Sequence, residues 1–548
     1  MHLFHLSDAV HDLAKALRMI KRNPGQLQTL TDLQLTNLQE ITSRFQHHGT
    51  PATEPHHAPN TPVPRVDPTR LPTSHTHHAN AVFDPDSGRQ LEYRHLIQHP
   101  KVKTTWLRAG ANEFGRLAQG IRDIPGTDTI TFITKDQVPR NKRVTYARFV
   151  ADIRPQKAET HRVRLTIGGN LIEYEGEVNT PTGSLTTYKL HCNDVISTPN
   201  ARCVCLDIEN YYLNTPLPTP EFMRVHISLI PEEIIEAYNL CNMVDPQGNI
   251  YIRLNKGMYS LPQAGILAYQ LLVQRLAPYG YAPVRHTPGY WKHKDKPTAF
   301  VLVVDDFSIK YVDRQDAEDF ITILQQWYTI KVDWEAALYC GIKTDWDYAN
   351  RKVTLSMPGY IAALLKELNH PLPAKPQHAP HPYQPATYGK HPQLADEPDH
   401  TAPLSPKDPI QPSKIVGKLL YYARAVDSTL MVALSALASE QNRPTIKTKK
   451  KILQLLDYCA THPDAKLSYY ASDMILYMHS DAGYNNEPGA RSRSGGHLYL
   501  GNHQHHKPLQ NGAILNPTHI LKHVASSAAD AEIGAAFVNS MEAIPLRI

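Results

Sequence analysis

Phe300-Val301-Leu302-Val303-Val304-Asp305-Asp306-Phe307-Ser308-Ile309 drives an apolar run into two adjacent acids and then resumes as an apolar segment. The run reads as a strand that ends at a turn. Neighbouring side chains on a strand point to opposite faces, yet a strand end or tight turn can bring both carboxylates toward one cation. A second run, Val204-Cys205-Leu206, also ends in an acid, Asp207. Three acids at the ends of two apolar strands could converge on a pair of Mg²⁺ ions. A two-metal site activates an attacking oxygen and stabilises a leaving oxygen in phosphoryl transfer. A pair of acids after an apolar strand is a weak signal alone, because a strand-end turn also explains it.

Longer segments narrow the choice. Leu206-Asp207-Ile208-Glu209-Asn210-Tyr211-Tyr212-Leu213-Asn214 resembles the first catalytic motif of copia-type retrotransposon reverse transcriptases. Lys256-Gly257-Met258-Tyr259-Ser260-Leu261-Pro262-Gln263-Ala264-Gly265 is similar to their YGLxQA signature, and Val303-Val304-Asp305-Asp306 to their YVDD box. Upstream, Trp106 and Asn112-Glu113-Phe114 resemble the approach to the fingers, and Arg162 to Gly169 resembles the family's KARLVxxG strand. The motifs keep the family's order and cover residues 100–360.

The resemblance implies roles. Asp207, Asp305 and Asp306 would be the catalytic acids and hold two Mg²⁺ ions, with Mn²⁺ as the substitute. The ions would acidify the primer 3′-hydroxyl and neutralise charge on the triphosphate. Tyr212 would exclude a ribose 2′-hydroxyl; the alternative is a core tyrosine. Gln263 would touch the incoming nucleotide or template; the alternative is a polar helix start after Pro262. Arg162 and Arg164 share a strand face at i, i+2 and could clamp phosphate oxygens; the alternative is a solvated face. Cys340-Gly341-Ile342 sits where the family has its primer-contacting hairpin. Two departures stand out: Ser260 replaces the family's usual glycine in a tight turn, and valine replaces the tyrosine ahead of the two acids. If the turn needs positive φ, Ser260 is strained.

Near the C-terminus, His479-Ser480-Asp481-Ala482-Gly483, Arg491 to Gly496 and Ala531-Glu532-Ile533 resemble the retroelement ribonuclease H domain. Asp481 and Glu532 would be two of its usual four carboxylates, with Asp530 as the neighbouring alternative. The chain stops at Ile548, before the remaining acids, so the expectation is an incomplete and inactive nuclease.

The rest of the chain sets the frame. At 548 residues it holds roughly three to four domains. Residues 1–45 show helical periodicity, broken by Asn23-Pro24-Gly25. Residues 46–80 carry seven Pro and seven His and read as a linker that cannot bury a core. Strand-like runs at 129–134, 163–167, 203–206 and 300–304 alternate with helix-like runs at 232–240, 263–278 and 315–328. This argues an α+β or α/β domain over 81–369, and the resemblance implies an α+β fold of fingers-palm-thumb architecture. Residues 370–412, with 12 prolines, read as a second linker, 413–465 as a helical connection and 466–548 as a partial ribonuclease H-like α/β domain.

Composition excludes several classes. No apolar run reaches 18 residues, so no membrane span is expected, and the N-terminus lacks a secretory signal. Six cysteines in a chain this long are no disulfide framework; they read as reduced packing residues of a cytoplasmic or nuclear protein. Within the resemblance, the cytoplasmic site would be a virus-like particle. Lys+Arg exceeds Asp+Glu by 57 − 52 = 5, a surplus that permits a polyanion partner. No zinc knuckle, Asp-Thr-Gly or Asp-Ser-Gly protease box or HHCC integrase pattern is visible, so the expectation is the polymerase part of a longer polyprotein or an isolated remnant. The implied activity is RNA-directed DNA polymerisation with an RNA template, a DNA primer, dNTPs and other element-encoded proteins as partners. The second reading is a catalytically dead nucleic-acid-binding remnant.

Overall fold

The structure, a computed structural model, describes residues 81–84, 89–154, 159–382, 399–406, 408, 410–503 and 510–546. The chain divides into two units, Met1–His77 and His78–Ile548, and every described residue belongs to the second. The helices expected over 1–45 and the linker at 46–80 lie outside the described residues, as does 383–398 of the second linker.

Helix α1 (Lys103–Leu117) leads into strands β1 (Ile130–Ile133), β2 (Val144–Ile153) and β3 (His161–Ile167). Then come α2 (Leu185–Ser197), β4 (Arg202–Ile208), β5 (Pro216–His226), β6 (Asn249–Lys256) and α3 (Ala264–Leu276). Strands β7 (Tyr281–Pro283), β8 (Tyr290–His293), β9 (Ala299–Val303) and β10 (Asp306–Tyr311) precede α4 (Arg314–Gln325). Strands β11 (Ile330–Asp333), β12 (Leu338–Tyr339), β13 (Ile342–Asp347) and β14 (Lys352–Ser356) lead to α5 (Tyr360–Glu367). Three helices follow, α6 (Pro412–Ala425), α7 (Met431–Glu440) and α8 (Ile446–Thr461). The C-terminal part holds β15 (Lys466–Tyr470), β16 (Ile475–Glu487), β17 (Arg491–Gly501), β18 (Ala513–Leu515), β19 (Thr518–Ile520) and α9 (Ala528–Ala543).

This is a mixed α+β fold, one of the two classes that the alternation of patterns allowed. Four sheets organise it, in the orders β1-β6-β5-β2-β3, β7-β8-β9-β10-β4-β11, β12-β13-β14-β15 and β16-β17-β18, with β19 also on β17. The second sheet is central. Val204, Leu206, Phe300, Phe307 and Ile309 pack one face against Leu272 of α3 and Phe320 and Leu324 of α4. Cys203, Cys205 and Val301 pack the other against Tyr188, Cys192 and Val195 of α2. A strand covered on both faces needs apolar residues at every position, which is why 300–304 has no polar break. Phe300 sits 5.3 Å from the Phe307 ring and 5.1 Å from Phe320, so truncating it to alanine would cost about 3–5 kcal/mol.

Three boundaries differ from the sequence reading. Strand β15, expected to open the C-terminal domain at 466, instead pairs with β14, with Leu355 opposite Leu467 and Val353 opposite Tyr469. The apolar residues of β15 extend the third sheet and join its core, so the separate hairpin begins at Ile475. The helical run over 413–440 breaks in two, because the Asp427 carboxylate accepts from the Thr429 amide. The described start of the second linker is fastened to α8: His370 Nε2 lies 2.8 Å from Asp457 Oδ1, the Gln377 amide donates to Thr461 Oγ1, and Gln454 donates to the Ala379 carbonyl. Proline cannot donate to a ladder, but polar side chains of α8 meet the groups that remain. No helix among the described residues is long and apolar enough to cross a membrane.

Candidate active site

The β9–β10 hairpin closes in two residues, Val304 and Asp305, between the paired Val303 and Asp306. Val304 has φ +59° while Asp305 stays outside the left-handed region, the pattern of a type II′ turn. That first position favours glycine; a β-branched residue there costs about 1–3 kcal/mol. The turn lifts Asp305 beyond the sheet edge and leaves Asp306 as the first residue of β10.

Strand β4 lies on the other side of β10 with Asp207 directly opposite Asp306. The Ile208 amide donates to the Asp305 carbonyl at 3.0 Å, which locks the turn to the end of β4. Thus the backbone sets the three acids at neighbouring positions. Like charges directly opposite on a sheet repel. Burial, followed by the charges of Asp306 and Asp207, pushes the Asp305 carboxyl up to about 6, against the opposing pull of Arg164. Among the described residues no three His, Cys, Asp or Glu side chains are gathered tightly enough to hold an ion as they stand. The donor chemistry nevertheless suits a hard divalent cation, since all three supply carboxylate oxygens. Asp207, Asp305 and Asp306 are the residues that would hold Mg²⁺.

Tyr212 stands in a 3₁₀ turn, Tyr211–Asn214, just past β4. It is half-buried between the central sheet and the first sheet's core, and Asp305 is near enough to add to its raised hydroxyl pKa after burial. The Gly257 backbone presses on it: a Cβ there would sit 2.7 Å from the Tyr212 carbonyl.

The two arginines part ways. Arg164 is exposed on β3, its guanidinium 5.6 Å from the centre of the Tyr259 ring and its charge felt at Asp305. Arg162 is buried. It pairs with Glu113 of α1 at 3.1 Å and with Glu159. Glu113, 1% exposed, also binds Arg116 at 2.7 Å and accepts the Leu165 amide of β3. The two guanidiniums serve different partners: Arg162 neutralises the Glu113 and Glu159 carboxylates, and the charge of Arg164 acts on Asp305. This network escaped sequence reasoning; the signal was an acid, Glu113, set among the core positions Ala109, Ala111 and Phe114 of α1.

Gln263 is the N-cap residue of α3 and is buried. Its Nε2 donates to Glu221 Oε1 at 3.5 Å, and its Oε1 has no partner among the described residues. Ser260, in the loop before it, has φ +69°. Its carbonyl would lie 2.0 Å from a Cβ on Gly169, so the family-like glycine of the β3 segment is required by close backbone approach. The turn at 340–341 reaches back to the acids: Cys340 Sγ donates to Asp306 Oδ2 at 3.7 Å.

In the C-terminal hairpin, Asp481 of β16 faces Gly495 of β17 and is exposed. The preceding Ser480 accepts from Asn539 of α9, so strand alternation turns Asp481 to the sheet face away from that helix. Glu532 rides exposed on α9, and no hydrogen bond or ion pair joins the two among the described residues. Asp530 is held at the start of α9 by Ser526 and Ser527.

Comparison with models of known protein families and with curated proteins found no match for this chain. The resemblance to copia-type reverse transcriptases therefore rests on the sequence motifs alone.

Proposed function

We propose that this chain is an RNA-directed DNA polymerase of copia type that transfers nucleotides from dNTPs to a primer 3′-hydroxyl. The observation that carries the reading is the pairing of Asp306 opposite Asp207, with Asp305 raised in the adjoining turn. In this reading the central sheet is the palm and the first sheet the fingers. Mg²⁺, when bound by the three carboxylates, supplies charge neutralisation and a more acidic primer hydroxyl. Arg164 orients the triphosphate from β3, and Tyr212 closes the sugar side of the pocket. Catalysis comes from holding hydroxyl and phosphate in line. The template-primer is held through Lys and Arg contacts to phosphate, so affinity falls with salt.

The C-terminal hairpin and α9 act in this reading as a structural appendage without nuclease activity, because Asp481 and Glu532 sit on opposite sides of one sheet. A second reading, a nucleic-acid-binding scaffold without catalysis, is favoured by the strained Ser260. Incubating the protein with an RNA–DNA primer-template and a single labelled dNTP separates the two. Mg²⁺-dependent incorporation supports the polymerase. Salt-sensitive binding of the hybrid without incorporation supports the scaffold.

A further inference from the structure

The hairpin β12–β13 packs against the catalytic turn from behind. Its two-residue turn, Cys340-Gly341, has φ +48° and +81°, a type I′ geometry that directs Tyr339 and Cys340 toward the β9–β10 hairpin. Tyr339 is 3% exposed, and its ring stacks on Tyr188 of α2 with centroids 4.4 Å apart. Its hydroxyl reaches the Val301 carbonyl of β9 at 3.2 Å and the Asp306 carbonyl of β10 at 3.5 Å. One hydroxyl thus spans both strands that flank the acids. Next to it, Cys340 donates to the Asp306 carboxylate, and Tyr421 of α6 donates to the Cys340 carbonyl at 2.7 Å. Backbone and side chain of Asp306 are therefore fastened to the same small hairpin.

Resting on the polymerase reading, we propose that Tyr339 is a positioning residue that fixes the Asp306 backbone, and with it the separation of Asp306 from Asp207. The tyrosine never meets substrate; it acts through the carboxylate. A small displacement of a catalytic group can lower rate strongly while leaving the fold intact.

The test uses the full chain with Tyr339→Phe, which keeps the ring stack and removes only the hydroxyl. Tyr188→Phe is the control, since it loses a buried hydroxyl bond to Thr344 that touches no acid. Two readouts are taken: single-turnover dNTP incorporation, and Mn²⁺ affinity by electron paramagnetic resonance in the absence of nucleic acid. Tyr339→Phe should lower kcat roughly 10-fold with the dNTP KM unchanged, and weaken Mn²⁺ several-fold, while Tyr188→Phe changes neither. Equal kcat and equal Mn²⁺ affinity in Tyr339→Phe and wild type overturn the inference and leave the polymerase reading standing. A wild type that neither binds Mn²⁺ nor extends a primer overturns both.

Discussion

Asp305→Asn should stabilise this protein when no divalent cation is present. The Asp305 carboxyl is pushed from 3.8 up to about 6, first by burial and then by Asp306 and Asp207. The folded state therefore holds a proton more tightly than the unfolded chain. The contribution of this group to stability is fully present below pH 4, falls as pH rises from about 4 to about 6, and stays lost above that. The difference of about two corresponds to roughly 3 kcal/mol at 1.36 kcal/mol each, and partial exposure of the group reduces this to about 1–2 kcal/mol. Asparagine keeps the shape and removes the charge. In EDTA at pH 7.5 the variant should melt about 1–2 °C higher than wild type, and the gap should close by pH 4. Adding Mn²⁺ or Mg²⁺ at about a hundred times Kd should reverse the order, because binding to the folded state then stabilises the protein that keeps its ligand by about 2.7 kcal/mol. Differential scanning fluorimetry across pH and metal reads all of this. A variant that melts at or below wild type in EDTA at pH 7.5 would refute the electrostatic account of the three acids. A wild type indifferent to both cations would refute their role as ligands.

Other substitutions probe the surroundings. Ser260→Gly removes the left-handed strain at φ +69° and should raise stability by about 0.5–1 kcal/mol in urea unfolding, with incorporation retained. Arg162→Met strips Glu113 and Glu159 of a buried partner and should cost about 3 kcal/mol, whereas Arg164→Met should stay within about 0.5 kcal/mol of wild type and raise the dNTP KM roughly tenfold. Tyr212→Val should cut discrimination between dNTPs and rNTPs by about 100-fold, read as the ratio of kcat/KM for the two sugars. A Tyr212→Val protein that still rejects rNTPs would make Tyr212 a packing residue.

The strands that build the central sheet could be read from the sequence because burial on both faces leaves an unbroken apolar run, as at Phe300–Val304, that ends where polarity returns. Turn chemistry was readable at Ser260, where the expectation of a positive φ rested on the glycine usual in that motif and the backbone has that conformation. The strain at Val304 could not be read, since nothing local announces a positive φ in a valine; only the two-residue connection imposed by pairing Val303 with Asp306 does so. The fate of Arg162 could not be read either, because its fully buried partner is remote: Glu113 lies 49 residues away on α1, and only Glu159 is local. Strand period gives the face of a side chain but not what the fold brings against it. Strand β15 shows the same limit, since pairing with a strand more than a hundred residues earlier leaves no mark on the pairing residues themselves. Pro-rich composition suggested a free linker at 370–382, yet composition says nothing of the polar residues of α8 that hold it.

The most direct measurement is primer extension on an RNA template with dNTPs and Mg²⁺, comparing wild type with Asp207→Asn and Asp306→Asn at matched hybrid binding. The account gives extension by the wild type, abolished by EDTA, and its loss in each variant while hybrid affinity is kept. Extension that survives removal of either carboxylate, or a folded wild type that binds hybrid and adds no nucleotide, would contradict it.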